Sequence, residues 1–304
     1  MSMNTEPYKG VRDFYPPEMA EQNYIFSVWR SVAEKFGYVE YSASILEYAE
    51  LYRSKGSDEI VNEQMYVFKD KGDREVALRP EMTPTLARMI AAQRKALKFP
   101  LHWYSIPNVF RYERPQHGRR REHWQLNCDL MGIAGIEAEV EIIKLAYDIM
   151  KKFGAKDEDF EIRVNSRIII NTALAKKNFS EEQIRDFTRK LDKGNLPADI
   201  NFEPDEEIKK LLVMLKENDI NNVRFDETLA RGFDYYTGMV FEVFDTNPEN
   251  KRALFGGGRY DNLLEIFGVE PVPTVGFGMG DVTIRDFLVT HNLRLKISNE
   301  KDSL

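Results

Sequence analysis

Cysteine is almost missing from this chain: Cys128 is the only one. An intramolecular disulfide and a cysteine-rich zinc site are therefore excluded. Histidine is scarce too, with His102, His117, His123 and His291. None sits in a His-Glu-x-x-His pattern, and the chain has neither a Gly-x-Ser-x-Gly elbow nor a Walker loop. No apolar run approaches the roughly 18 residues that a bilayer span requires. Met1 to Tyr8 offers neither a basic nor an apolar leader segment, so no secretory signal is expected. These absences imply a cytoplasmic protein. Internal repeats and low-complexity tracts are missing as well.

What is present suits a soluble globular chain, 42% hydrophobic and 31% charged over 304 residues. That length can bury one large core, or a core with a smaller inserted unit. The net charge of −7 argues only weakly against a nucleic-acid partner, because binding depends on local field. Arg111, Arg114, Arg119, Arg120 and Arg121 fall within eleven residues, a local basic feature on an acidic body.

Ile25, Val28, Trp29, Val32 and Phe36 follow helical spacing, which predicts a helix from about Glu18 to Phe36 with Gly37 beyond its end. Tyr38 to Tyr41 reads as a strand. Thr83-Pro84 reads as an N-cap and first helical residue of a helix through about Leu97. Strand-like runs follow at Leu101 to Ile106, Val109 to Glu113 and Gln125 to Met131, the last two forming an antiparallel pair across a basic loop. Val140, Ile143, Tyr147 and Met150 mark a helix ending near Gly154. Residues 156–225 are rich in lysine and glutamate and read as a helical insertion, with a Ser180/Gln183 capping box. Strand signals return at Met239 to Asp245 and Val275 to Met279, separated by a turn at Gly256-Gly257-Gly258. Strands on both sides of a helical insert predict one sheet built from both ends of the chain, the α+β class. The divisions expected are 1–155, 156–225 and 226–304.

Three arginines stand in distinctive surroundings: Arg111 in Phe110 to Gln116, Arg231 in Arg231 to Gly238, and Arg259 in Gly256 to Asp261. Arginine carries a permanent charge and a planar donor fork that matches phosphate oxygens. Attack on a phosphate ester by a carboxylate needs positioning and charge stabilisation more than acid–base groups. Taken singly, each feature has an ordinary reading: Arg119 to Arg121 as a solvated loop, Tyr235-Tyr236 as core aromatics, Gly256 to Gly258 as a tight turn. Gly276 to Gly280 lacks the βαβ setting of a dinucleotide fold.

From about Tyr8 to Leu288 the chain resembles the histidyl-tRNA synthetase family. Lys9 to Phe14 is similar to its N-terminal signature, and Phe110 to Gln116 with Gly118 to Gln125 to class II motif 2. Arg231 to Gly238 and Gly256 to Asp261 resemble its two histidine-specific motifs, and Gly276 to Gly280 the start of motif 3. The resemblance implies an antiparallel sheet cradling ATP and histidine, flanked by helices, in a homodimer. It implies Arg111 and Arg231 on the α-phosphate, with Glu113, Gly278 and Gly280 also on ATP and Mg2+ as the accompanying ion. No metal ligand is assigned. Histidine would meet Glu81, Thr83, Gln125, Asp129, Tyr235 and Tyr236. Arg114 and Gln116 would approach the acceptor end of tRNA, with Arg119 to Arg121 adding attraction for its backbone.

Three departures accompany the likeness. Ser44 stands where the family usually carries an interface proline. Thr283 stands where its adenine-stacking arginine is expected, and Arg285, two positions on, would point elsewhere on a helix. The family's C-terminal anticodon-binding domain is expected to be missing. Two functions follow: a histidine–tRNA ligase catalytic core, or a histidine-sensing regulatory subunit of ATP phosphoribosyltransferase. The short C-terminus and Thr283 favour the second; Arg111, Arg231 and the histidine-specific motifs favour the first. A catalytic-like binding module would be a third.

Overall fold

A computed structural model describes residues 3–54, 59–114, 118–192, 194, 201–250 and 252–293. In chain order the elements are α1 (Pro16–Lys35), β1 (Val39–Glu40), β2 (Leu46–Tyr48), α2 (Ala49–Arg53), β3 (Tyr66–Lys69), β4 (Glu75–Leu78), α3 (Thr83–Gln93), β5 (Leu101–Ser105), β6 (Asn108–Phe110), β7 (Glu122–Met131) and α4 (Glu137–Lys152). Then come β8 (Phe160–Ser166), α5 (Arg167–Lys176), α6 (Glu181–Asp192), α7 (Glu206–Glu217), β9 (Val223–Phe225), β10 (Met239–Asp245), β11 (Ala253–Arg259), β12 (Thr274–Gly280) and α8 (Asp281–Thr290).

The main sheet runs β1-β5-β7-β12-β11-β10-β8-β9, with β6 also paired to β7. Its pairs are antiparallel except β1 with β5 and β8 with β9. Both ends of the chain build it, as the α+β reading requires. Alternation along the strands gives its two faces different jobs. Leu126, Cys128 and Leu130 of β7, Val275, Phe277 and Met279 of β12, Phe241 and Val243 of β10, and Ile162 and Val164 of β8 are buried in one core. That core is closed by α1 through Ile25, Trp29 and Val32, by α4 through Ile142, Leu145 and Ile149, and by α8 through Ile284 and Phe287. Each such aliphatic or aromatic side chain contributes roughly 1.5–3 kcal/mol on burial. The opposite face carries the polar partners of those residues and remains open as a cleft.

Several local readings hold. Helix α1 ends at Lys35, and Gly37 takes φ +83 beyond it, the left-handed conformation a glycine adopts without penalty. The Ser180/Gln183 capping box forms: Ser180 N donates to Gln183 Oε1 at 2.8 Å and Gln183 N to Ser180 Oγ at 3.3 Å. Three readings need correction. Thr83 is the first helical residue and Met82 the N-cap, without a side-chain cap bond. Gly256 to Gly258 lie inside β11 and make no turn. The stretch read as helical from 156 begins with β8, a strand of the main sheet, and ends with β9; the helices α5, α6 and α7 lie between them. Alternation of Phe160, Ile162 and Val164 with Glu161, Arg163 and Asn165 buries one face of β8 against the core.

A second sheet, β2-β4-β3, stands apart. Its register aligns Leu46 with Leu78 and Tyr66, and Tyr48 with Val76 and Phe68. This apolar face is open in the single chain: Leu46, Tyr48 and Phe68 are exposed. No helix among the described residues is long and apolar enough to cross a membrane.

Candidate functional site

Two cross-strand rows form the cleft floor. One runs Asp129, Gly276, Gly258, Val240, Asn165; the next runs Asn127, Gly278, Gly256, Glu242, Arg163, Arg224. The centre of both rows is glycine. A Cβ on Gly258 would overlap Met239 O, and one on Gly256 would lie 2.8 Å from Arg231 Nη1. At Gly278 it would overlap Gln125 Nε2, and at Gly276 it would overlap Asp129 Oδ1. The glycines thus leave a floor without side chains between polar groups on β7 and cations on the far strands. Above it opens a cleft of about 760 Å³ lined by Arg111, Glu113, Gln125, Arg231, Glu242, Gly278 and Gly280, among others.

Arg111 follows β6 and donates from Nε to Pro80 O at 2.9 Å. No carboxylate among the described residues lies within ion-pair distance of it. Arg79 is spent on structure: its guanidinium donates to Asn108 O and Oδ1 and to Ala43 O. It thereby fixes the strand end that leads to Glu81. Arg231 is held by Glu242, with Nη1 to Oε1 at 2.7 Å, and its Cζ lies 5.9 Å from the Tyr236 ring centre. Burial disfavours its charge, but Tyr236 and Glu242 more than offset that and keep its pKa above the ordinary arginine value. Glu113 lines the cleft with a buried Oε2 that has no hydrogen-bond partner; Arg119 Nε stands 3.3 Å away.

Glu81, Thr83, Asp129, Tyr235 and Tyr236 lie off the open cleft, and the first and the last three are packed into a buried polar wall. Tyr235 donates its hydroxyl to Glu81 Oε2 at 3.3 Å, while Glu81 Oε1 has no partner. Burial raises the Glu81 pKa to about 7, with Arg111 and Tyr235 pulling the other way. Burial raises Asp129 to about 7 as well, against a hydrogen bond donated by Tyr260. Tyr235 and Tyr260 rings meet edge to face at 5.5 Å. The wall is thus two carboxylates joined through two tyrosines, each able to hold or release a proton near neutral pH.

Tyr260, Glu242 and His123 belong to this site, and their roles were not read from the sequence. Tyr260 is the residue after Arg259 in the second glycine motif, and Glu242 is Arg231's partner eleven positions on. His123 lines the cleft with a pKa pushed down to about 3 by burial, Arg111 and Arg12, so its ring is neutral. Arg259, grouped with the phosphate-type arginines, turns to the other face and pairs with Glu139 of α4 and, at 3.3 Å, with Asp261. Arg121 is buried and lies 4.0 Å from the Tyr112 ring centre, leaving Arg119 and Arg120 exposed on the cleft. Arg114 is exposed, and Gln116 lies outside the described residues. Thr283 donates to Leu254 O at 2.6 Å at the cleft rim, and Arg285 turns away to Glu21 and Gln22 of α1. Buried Asp281 accepts from Arg12 at 2.7 Å, Gln22 at 3.0 Å and Trp124 N at 2.9 Å, joining the N-terminal segment and α1 to the cleft strands.

A family profile described as Histidyl-tRNA synthetase matches residues 10–217 and 198–282. A histidine–tRNA ligase of Leptospira biflexa is 44% identical over an alignment covering 96% of this chain and 76% of that protein. One of Thermoplasma volcanium is 39% identical, covering 93% and 74%. Among solved structures, a Bacillus halodurans chain described as an ATP phosphoribosyltransferase regulatory subunit/histidyl-tRNA synthetase superposes with a TM-score of 0.82 at 25% identity, covering 94% of this chain and 84% of that one. Apo S. aureus histidyl-tRNA synthetase superposes with a TM-score of 0.73 at 24% identity, covering 97% and 73%.

Proposed function

The chain belongs to the histidyl-tRNA synthetase family, and from that premise we propose that it activates histidine with ATP and transfers it to tRNA in the cleft described above. The observation that carries this reading is the pairing of two cations, Arg111 and Arg231, with a wall of ionisable carboxylates on a glycine floor. In the first step a histidine carboxylate oxygen attacks the α-phosphorus. The P–O bond to pyrophosphate breaks, and pyrophosphate leaves with the electron pair. Negative charge builds on the α-phosphoryl oxygens, where the Arg111 and Arg231 guanidinium groups would stabilise it. In the second step a terminal ribose hydroxyl of tRNA attacks the acyl carbon, and AMP departs.

Glu81, with its unpartnered Oε1, would take the α-ammonium of histidine, with Thr83 beside it. Gln125 and Asp129, backed by Tyr235 and Tyr236, would read the imidazole, which offers one donor and one acceptor when neutral. The adenine would sit over Gly278 and Gly280. A Cβ at Gly280 would stand 3.8 Å from both His123 Cδ2 and Thr283 Oγ1, so the neutral His123 ring and Thr283 bound a slot there. Mg2+ binds through few protein carboxylates and mostly through phosphates. The cleft carboxylates Glu113, whose buried Oε2 has only the Arg119 ion pair among the described residues, and Glu242 would serve that need, and the ion would supply charge neutralisation on the phosphates. Arg114 and Gln116 would meet the acceptor end. The apolar face of the small sheet, carrying Leu46, Tyr48 and Phe68, supports a homodimer, and the activity is consistent with a cytoplasmic protein.

ATP–pyrophosphate exchange against all twenty amino acids tests the reading. Exchange with histidine alone is the expected result. Absence of exchange with histidine still bound would support the histidine-sensing regulatory reading, which Thr283 at the adenine slot favours.

A further inference from the structure

Four strand spacings, about 19 Å, separate Asn127 on β7 from Arg163 on β8 along one cross-strand row. The proposed histidine wall and Arg111 occupy the β7 end of the cleft, and Arg231 stands over Gly256 near its middle. Arg163 lies beyond Arg231 and Glu242, on the side away from histidine. Its guanidinium edge is held by two carboxylates, Nε to Glu161 at 2.7 Å and Nη1 to Asp226 at 3.2 Å. One of its planar faces lies over Phe244, with Cζ 4.1 Å from the ring centre. Arg163 and Phe244 both line the cleft, and Arg252 lines it beside them. The pair is therefore a flat surface fixed on the cleft wall, with Arg224 sharing Glu161 and Asp226 beside it.

A flat guanidinium backed by an aromatic ring is a stacking surface for nucleobases. Two bases could reach this cleft: the adenine of ATP and an unpaired base of the RNA. The adenine has a slot at Gly280 between His123 and Thr283, across the floor. We propose that Arg163 and Phe244 form a stacking platform for an unpaired base at the 3′ end of the RNA substrate. The proposal rests on the ligase reading. It gives the second reaction step its own contact, one that the first step does not use. Single-stranded RNA ends are commonly gripped by such stacking, because unpaired bases expose both ring faces.

The test compares the full chain with Arg163→Met and Arg163→Lys in two assays, ATP–pyrophosphate exchange and charging of a tRNA transcript specific for histidine. Filter binding of that transcript, with and without its unpaired 3′ nucleotides, is the third readout. Exchange should stay within about twofold of wild type in both variants, while kcat/KM for charging falls about tenfold. Lysine keeps the charge and loses the plane, so it should not rescue. The affinity difference between wild type and variants should vanish for the shortened transcript. Charging at the wild-type level would overturn the platform. So would a parallel loss of exchange and charging, which would assign the pair to ATP or to the sheet edge. Rescue by lysine would replace stacking with simple charge attraction and overturn it too. Absence of exchange in the wild-type protein would overturn the ligase reading and this inference together.

Discussion

Removing the charge of Glu81 while keeping its shape isolates the proposed amino-group contact. In Glu81→Gln the side chain can still accept from Tyr235, whose hydroxyl lies 3.3 Å from Oε2, but a substrate ammonium loses its anionic partner. A hydrogen bond to a charged group is worth about 1.5–3 kcal/mol, so histidine affinity above pH 7 should fall roughly tenfold to 150-fold. The pH dependence is more telling. Glu81 and Asp129 both titrate at about 7 because burial disfavours their charge. The free protein therefore takes up protons on both as pH falls through 7, and histidine binding to the charged forms must expel them. Well below pH 7 the wild-type affinity should fall by about two powers of ten per pH unit, and that of Glu81→Gln by about one. Histidine's own imidazole titration is common to both proteins and cancels in the difference. Linkage also fixes a stability signature. The folded protein holds the Glu81 proton to higher pH than the unfolded chain does. The resulting stabilisation, on the order of 3 kcal/mol, is complete below about pH 4.5 and is lost as pH rises through 7. Calorimetric histidine titrations across this range would read the slopes directly. Parallel slopes for the two proteins would refute the assignment of Glu81 to the amino group.

Arg231→Ala should depress exchange about 10²- to 10³-fold with histidine affinity within a few-fold, because the cation acts on charge that develops at phosphorus. It also strands Glu242, so a thermal melt should accompany the kinetics; loss of histidine binding in a folded variant would contradict the role. Gly257→Ala places a methyl group against Gly276 O and Phe277 Cα and should cost roughly 1–3 kcal/mol or more of stability, read as a lowered urea midpoint with unchanged slope. Ser180→Ala removes a cap bond far from the cleft and should cost about 1 kcal/mol in melting experiments while leaving exchange intact.

The sequence signals varied in how much of the fold they could reveal. Long amphipathic elements were legible because their burial is periodic: α1 and α4 lie where Val28, Trp29, Val140 and Ile143 put them. Strand β8 was equally periodic, with apolar residues at every second position, but it is seven residues long and leads into a run of polar helices. Composition over a wide window masked period-two alternation over a narrow one. The triple glycine misled for a different reason. Turn and close-approach glycines look alike in sequence, and only the neighbouring strand's backbone, here Gly276 O and Phe277 Cα against Gly257, tells them apart. The partners of the candidate residues were the least legible part. Glu242 with Arg231, Tyr260 with Asp129 and Asp281 with Arg12 are contacts between positions 11, 131 and 269 residues apart, beyond the reach of local pattern.

The fate of the arginines shows how one residue type divides its labour. Arg79, Arg121 and Arg259 are arginines near the same cleft as Arg111 and Arg231, yet they are buried against carbonyls, an aromatic ring and Glu139. A buried guanidinium needs its donors satisfied, so each of these three is bound into the protein at several points. Arg111 differs in having one hydrogen bond from Nε and no carboxylate partner among the described residues. Among the described residues Arg231 pairs with one carboxylate, Glu242, and has glycine beneath it. Unspent donor capacity facing a cleft, more than charge or motif, separates a ligand-binding arginine from a structural one. Arg163 already shares its charge with two carboxylates, Glu161 and Asp226, and packs over Phe244, so it has less charge to offer a phosphate than Arg111 or Arg231, which is why its partner is argued to be a base.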